Sequence, residues 1–467
     1  MTRLCLALLL FSTASVATAQ EVRVRLFEGR NGSSARFTAV DAPLSVRLDG
    51  REIAQAYPGD VVHVERDASG VKVAAENIRE RGSTVELASS GETRVRAGSN
   101  DRTYLGGFTV TASGQSLRIV NAAPMEPYVA SVVAVEYPFS EIEGAKAQAV
   151  LARTYAIRHK GDHAGYDVED SQRSQVYRGT QSVTDVSRRA AEETAGQILK
   201  YGTEVVEAVY SSSSGGHTAN NEAVWNTAPV PYLRGRPDPY DADAPDHRWT
   251  ATADASRVHG ALSRYARGTT GITVVERSPS GRAVQVELRP SGRTITGSQF
   301  RAAVNASLGW RTIKSTHLDI QLSGGRYTFT GRGFGHGVGM SQYGARGHSR
   351  AGASYQDILA FYFVGTHLET QEGAISGPLA SRPDDLRRMP TRRAVAWGLE
   401  TSEAETRIEP QLPPAPTPVT VPREVDTRPA WVVRDALPNG SRVRSRPTPR
   451  AQARQEASPD STVRTGW

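Results

Sequence analysis

Cysteine is almost absent: the 467-residue sequence contains one, Cys5, within its first few residues. A disulfide framework, a thiol nucleophile in a folded domain and a cysteine-based metal site are thereby excluded. Lysine is nearly as scarce, standing only at positions 72, 146, 160, 200 and 314, so almost all of the positive charge is arginine. No apolar run beyond the amino terminus approaches the roughly 20 residues that a membrane-spanning helix needs. What remains is 38% hydrophobic and 22% charged. That is enough to bury one large or two medium cores, and it excludes a wholly disordered chain. A net charge of +7 and a pI near 9.5 favour an acidic polymer as partner, without distinguishing nucleic acid, anionic membrane or cell-wall glycan.

Residues 2 to 19 show one Arg, an apolar run from Leu4 to Phe11, and small residues ending in Ala17, Thr18 and Ala19. This pattern predicts a Sec signal peptide over 1–19 with cleavage before Gln20, hence export to the periplasm or cell envelope without a transmembrane anchor. From 20 to 116, short stretches such as VRVRLFE, SVRLDG and VVHVERD alternate at a period of two between turn residues, which predicts a β-rich region. After Leu117 the pattern becomes helical. PMEPYVASVVAVEYP reads as a short helix that Pro138 stops near Glu136, and residues 141–160 read as a longer one with a small-residue face at Ile142, Ala145, Ala149, Ala152 and Ala156. Strands and short helices then follow up to about Leu368, so the fold class is α+β. Residues 369–467 hold 14 of the 26 prolines with little periodicity, which predicts a disordered tail rich in Pro and Arg.

Glu136 stands at the end of an apolar helix, where the helix dipole and partial desolvation both disfavour its charged form. Two readings follow, a general acid or a solvated Glu at an ordinary helix end. Glu126, Glu141 and Glu143 read as exposed residues at helix starts. The loop from Gly331 to Gly339 alternates glycine, so its backbone can approach a ligand closely. It lacks the phosphate-loop pattern, and no dinucleotide-binding unit surrounds it. Ser211 to Ser214 precede Gly215 and Gly216 without the G-x-S-x-G elbow of a serine hydrolase. His217, His336 and His348 show no close pair of metal ligands, and no nucleic-acid-binding signature is present.

Five segments in order carry a resemblance: E-x-Y-x3-V-x3-E-x-P at 126–138, A-K-A-Q-A-x2-A-R-T-Y-A at 145–156, Q-V-Y-R-G at 175–179, Y-S-x-S-x-G-G-x-T at 210–218, and G-R-G-F-G-H-G-V-G-M-S-Q-Y-G-A at 331–345. Together they closely resemble the SpoIID/LytB family over roughly residues 100–368. The resemblance implies a SpoIID-like catalytic domain over 117–368 that cleaves peptidoglycan glycan strands stripped of their peptides. It places Glu136 on the family's catalytic glutamate. It further implies that Lys146, Gln148, Arg153, Ser212, Gly215, Gly216, His336 and Gln342 line the glycan groove.

Some members of that family carry Cys and His ligands for zinc near the Q-V-Y segment and at the start of the Ser/Gly loop. Here those stretches read Asp170, Ser171, Gln172, Arg173, Ser174 and Ser211, so neither a metal nor another cofactor is expected. Because the family also includes amidase enhancers, the alternative is a non-catalytic glycan-binding protein that stimulates a cell-wall amidase. A zinc hydrolase is the third reading.

Overall fold

The computed structural model describes residues 20–28 and 32–371. The predicted signal peptide and residues 372–467 of the predicted tail lie outside the described residues. The alternating stretches form two sheets. In the strand Glu21–Leu26, Val22, Val24 and Leu26 are buried while Glu21 and Arg23 face outward, the period of a half-buried strand. Its sheet has seven strands in the order Val168–Glu169, Glu21–Leu26, Ser116–Pro124, Gly107–Ser113, Thr84–Ser89, Leu44–Leu48 and Arg51–Ala56. The second sheet has six, from Asn100–Tyr104 through Thr93–Ala97, Ser34–Ala39, Val61–Asp67 and Gly70–Ala75 to Ile78–Gly82. Their inner faces pack as a sandwich, with Phe37 and Phe108 meeting edge to face at 5.4 Å across the interface.

The expected boundary between 116 and 117 falls at the start of a strand of this sandwich. Ser116–Pro124 pairs with Glu21–Leu26 from Pro124 opposite Glu21 to Ile119 opposite Leu26. On its other edge Glu21–Leu26 takes Val168–Glu169 as a parallel partner, and the ion pairs Arg23–Asp167 (2.7 Å) and Arg102–Asp170 (2.8 Å) fasten that segment down. Sandwich and helices consequently share one apolar core that extends from Val22 to Phe363.

The strand Ser116–Pro124 runs directly into α1 (Met125–Glu136). Pro127 sits in the first turn, where its missing N–H leaves no helix bond unmade. Tyr128, Val129, Ala130, Val132 and Val133 are fully buried around the helix, as expected of an interior element. Tyr137, driven out of helical geometry by Pro138, ends it with φ −129° and ψ 72°. In α2 (Ile142–Arg158) the alanines of the small-residue face are buried as their spacing predicts. Gly144 leaves no room for a Cβ because the Tyr137 side chain occupies that space, and this contact fixes the turn that carries Glu136. Glu126 departs from expectation: it is only 9% exposed and is ion-paired to Arg153 of α2. After α3 (Asp185–Glu193), capped by Thr184, the strand Gln197–Tyr201 turns into Glu204–Val205, which is only two residues long.

The short helix α4 (Asn221–Trp225) leads toward a second core. There, α5 (Ala255–Leu262) and α6 (Gly297–Leu308) pack with two three-stranded sheets spanning Trp249–Gly331, around Val258, Phe300, Val304 and Phe329. The chain then returns to the first core through α7 (Gln342–Arg350) and α8 (Tyr355–Tyr362). The last strand among the described residues, His367–Thr370, pairs with Gln197–Tyr201 close to the expected end of the folded part. Among the described residues no helix is long and apolar enough to cross a membrane.

Candidate functional site

A cleft of about 730 Å³ opens between the end of α1, the 172–176 segment, the Ser loop, the Gly loop and one face of α6. Glu136 lies half-buried in its lining. Its Oε1 accepts the Val176 N–H at 2.9 Å and its Oε2 faces the Gln342 amide nitrogen at 3.4 Å. Burial raises its pKa above the ordinary glutamate value, although these two donors and the Arg178 charge pull the other way. The position of Val176 is set by Gln175, which is fully buried and donates to the Tyr128 hydroxyl and the Ala152 carbonyl, each at 3.1 Å. Two other carboxylates line the cleft, and both are engaged: Glu207 with His159 at 3.1 Å and Asp246 with Lys314. Among the described residues no cation lies within ion-pair distance of Glu136.

The Ser and Gly loops are zipped together. Ser213 and Phe334 exchange both backbone hydrogen bonds at 3.0 Å, and Tyr210–Ser211 runs parallel to Met340–Ser341. Ser212 lines the cleft, while its carbonyl accepts the Tyr343 N–H. Gly215 and Gly216 have φ of 71° and 94°, and a Cβ on Gly215 would strike the backbone of Arg332 and Gly333. Gly215 therefore serves the close approach of the loops, Gly216 supplies the positive φ that follows it, and both stand outside the cleft lining.

Beneath the loops, the buried Asp241 accepts from the Ser213 hydroxyl (2.7 Å), the Gly215 N–H (2.8 Å) and the Ser341 hydroxyl (2.6 Å). Asp238, also fully buried, is pushed up to about 6 by burial and by the neighbouring Asp241. No sequence motif pointed to either aspartate, because their partners come from segments far apart in the chain.

His336 lines the cleft with both ring nitrogens occupied. Nδ1 accepts the Val338 N–H at 3.1 Å, so the proton is on Nε2, which donates to the Tyr210 carbonyl at 2.8 Å. Burial holds its pKa down at about 4, which keeps the ring neutral. Gln342, at the start of α7, lines the cleft beside Glu136.

The three residues expected from α2 stand elsewhere. Lys146 pairs with Glu143 (2.8 Å) and with Glu193 of α3 (2.6 Å). Gln148 is fully buried, as is Arg153, and neither lines the cleft. Neither α2 face is free, since packing against α1, α3, α7, α8 and the strand Gln197–Tyr201 encloses it. Among the described residues no group of three or more His, Cys, Asp and Glu side chains is arranged to hold a metal ion. Asp170 is committed to Arg102 and to the Phe27 N–H at 3.0 Å.

A family model described as Stage II sporulation protein (SpoIID) matches residues 113–201, and one described as Domain of unknown function (DUF8618) matches residues 239–339. Stage II sporulation protein D of Bacillus subtilis (strain 168) is 30% identical over 322 residues, which cover 64% of this chain and 91% of that protein. The protein of the same name from Bacillus amyloliquefaciens is 30% identical over 282 residues, 56% of this chain and 79% of that one. The Amidase enhancer of Bacillus subtilis (strain 168) is 30% identical over 290 residues, 51% of this chain and 39% of that protein.

Proposed function

The chain belongs to the SpoIID family, and from that premise we propose that it is an exported lytic transglycosylase, active in the periplasm or cell envelope on peptide-free peptidoglycan strands. The observation that carries this reading is Glu136, a half-buried carboxylate in the cleft whose pKa is raised and which has no cation paired to it. A carboxyl group that holds its proton more tightly than an ordinary glutamate suits a general acid. Glu136 donates that proton to the glycosidic oxygen between N-acetylmuramic acid and N-acetylglucosamine as the C1–O bond breaks and positive charge develops at C1. The resulting carboxylate takes the proton of the muramic-acid C6 hydroxyl, whose oxygen closes on C1 to form the 1,6-anhydro ring. Glu136 ends protonated, no water is consumed, and no cofactor is required. Engagement of Glu207 and Asp246 in ion pairs supports a one-carboxylate route over hydrolysis by a pair. The Val176 N–H and the Gln342 amide stabilise the carboxylate that forms between the two steps.

The test is mass spectrometry of peptide-free and peptide-bearing strands incubated with the protein and with Glu136→Gln. Anhydro ends produced only by the unaltered protein, and only from peptide-free strands, are the expected result. Strands left intact by both proteins would overturn it. The similarity to an amidase enhancer favours a second reading, in which the cleft holds glycan and stimulates a cell-wall amidase. Glycan binding by both proteins without any change of glycan mass would support that one.

A further inference from the structure

The chemistry proposed for Glu136 uses no residue of the second core, yet one of its helices walls the cleft. α6 begins under a capping box between Thr296 and Gln299 and has two distinct faces. Gly297, Phe300, Ala303 and Val304 are buried, the last three in the second core, whereas Ser298, Arg301, Ala302 and Asn305, spaced three and four apart, line the cleft. Arg301 donates Nε to the Ile313 carbonyl at 3.0 Å, and no carboxylate among the described residues lies within ion-pair distance of it. Burial lowers its pKa to about 10 with no acid to offset the effect.

A second guanidinium lies near. Arg282 is fully buried, donates to the Ser214 carbonyl at 2.8 Å, and is also lowered to about 10, partly by the charge of Arg301. The other arginines of the lining have acids beside them, Arg173 with Glu28 at 3.5 Å and Arg311 with Asp246 at 3.8 Å. Arg301 is half-buried and Arg282 fully buried, so a cation pair without a facing anion is costly, and an entering anion would recover part of that cost. Next to α6, Trp310 lines the cleft at 47% exposure, stacking on Phe334 with ring centroids 5.8 Å apart and with the Arg311 guanidinium 5.4 Å from its ring.

We infer that the module spanning Trp249–Gly331 is a saccharide-gripping wall, in which Arg301 takes the carboxylate of an acidic sugar and Trp310 packs against a neighbouring pyranose ring. The inference rests on the reading of the cleft as a glycan site, and it gives a task to a segment that a model described as a domain of unknown function matches. The guanidinium fork fits a carboxylate with two parallel hydrogen bonds, which the neutral His336 and the glycine backbone do not offer. In muramic acid the lactyl carboxylate is free only when no peptide is amide-linked to it, so this contact separates peptide-free strands from substituted ones.

The experiment is calorimetric titration of full-length Glu136→Gln with three ligands of equal length: peptide-free strands, the same strands with carboxylates converted to methylamides, and neutral N-acetylglucosamine oligomers. The amidated and neutral ligands are expected to bind about 10- to 100-fold more weakly than the acidic one. Adding Arg301→Gln should remove that discrimination, Arg301→Lys should retain part of it, and Trp310→Ala should weaken all three ligands alike. Peptide-bearing strands, which carry carboxylates on the peptide instead, should show no dependence on Arg301. Equal affinity for acidic and amidated strands overturns the assignment without reference to any Arg301 variant, and so does discrimination that survives Arg301→Gln. Formation of anhydro ends is read separately with the unaltered protein, so loss of the Arg301 contact and loss of the transglycosylase reading give different results.

Discussion

Arg153 and Glu126 form a buried bidentate ion pair: Arg153 Nε donates to Glu126 Oε1 at 2.9 Å, and an Nη makes the second bond to Oε2. The same guanidinium donates to the Gln197 carbonyl at 2.9 Å, and Glu126 Oε1 also accepts the Gly196 N–H at 3.1 Å. The pair therefore ties α1, α2 and the strand Gln197–Tyr201 together at the start of α1, the end opposite the one that carries Glu136. Removing only the cation strands a carboxylate with 9% exposure. We expect Arg153→Met to lower unfolding stability by about 3 to 5 kcal/mol in urea. Glu126→Gln combined with Arg153→Met should recover more than half of that loss, because the remaining amide oxygen still accepts from Gly196. Where the double variant is folded, its glycan affinity should match that of the unaltered protein. Weaker binding by a folded double variant would return Arg153 to the substrate.

The raised pKa of Glu136 predicts the pH profile of its chemistry. The first step needs the protonated carboxyl, so kcat/KM on peptide-free strands should fall as pH rises through the Glu136 pKa, with a midpoint above the ordinary glutamate value. The Gln342 amide favours the charged form, so Gln342→Ala should move that midpoint to higher pH without abolishing the fall itself. Glu136→Gln should cost at least about 100-fold on the low-pH side of that limb, where the carboxyl is protonated, and the difference should narrow as pH rises past it. A falling limb that Gln342→Ala leaves unmoved would separate the titration from Glu136.

Elements whose signals are local were legible in the sequence, and contacts that join distant segments were not. Pro138 ended α1 where its geometry requires, the alanines of α2 spaced by three and four turned inward, and the Gly loop was recognised as a close-approach backbone. The resemblance placed Arg153 in the glycan groove, and helical spacing offered no check on it, because spacing distinguishes faces without saying which of them meets solvent. Both faces of α2 are covered, and the partner that makes Arg153 tolerable lies 27 residues earlier. Asp241 escaped notice for a related reason, since its ligands come from residues 213–215 and 341. Arg301 carried a weak signal in its polar spacing with Ser298 and Asn305, which reads equally well as an exposed helix face.

Asp238 ties stability to pH beneath the two loops. It is fully buried, with Oδ2 accepting from the Tyr362 hydroxyl at 2.9 Å and the Ser214 hydroxyl at 3.0 Å, while Oδ1 has no partner. Burial first, and then the Asp241 charge, push its pKa from an ordinary 3.8 up to about 6. Between those values the folded state holds a proton that the unfolded chain releases. The stabilisation is thus complete below the unfolded value and disappears as pH rises through about 6. An asparagine at this position keeps an oxygen for Tyr362 and Ser214, puts a neutral amide where Oδ1 lies, and does not titrate. From pH 4 to pH 7 the unaltered protein should therefore lose about 2 kcal/mol more unfolding free energy than Asp238→Asn, measured by urea denaturation. Comparing the two proteins cancels the groups that titrate in both, including Glu136 with its raised pKa and Asp167 with its lowered one. Parallel stability profiles would mean that Asp238 stays charged in the fold, held by its two hydroxyl donors against both burial and the neighbouring aspartate.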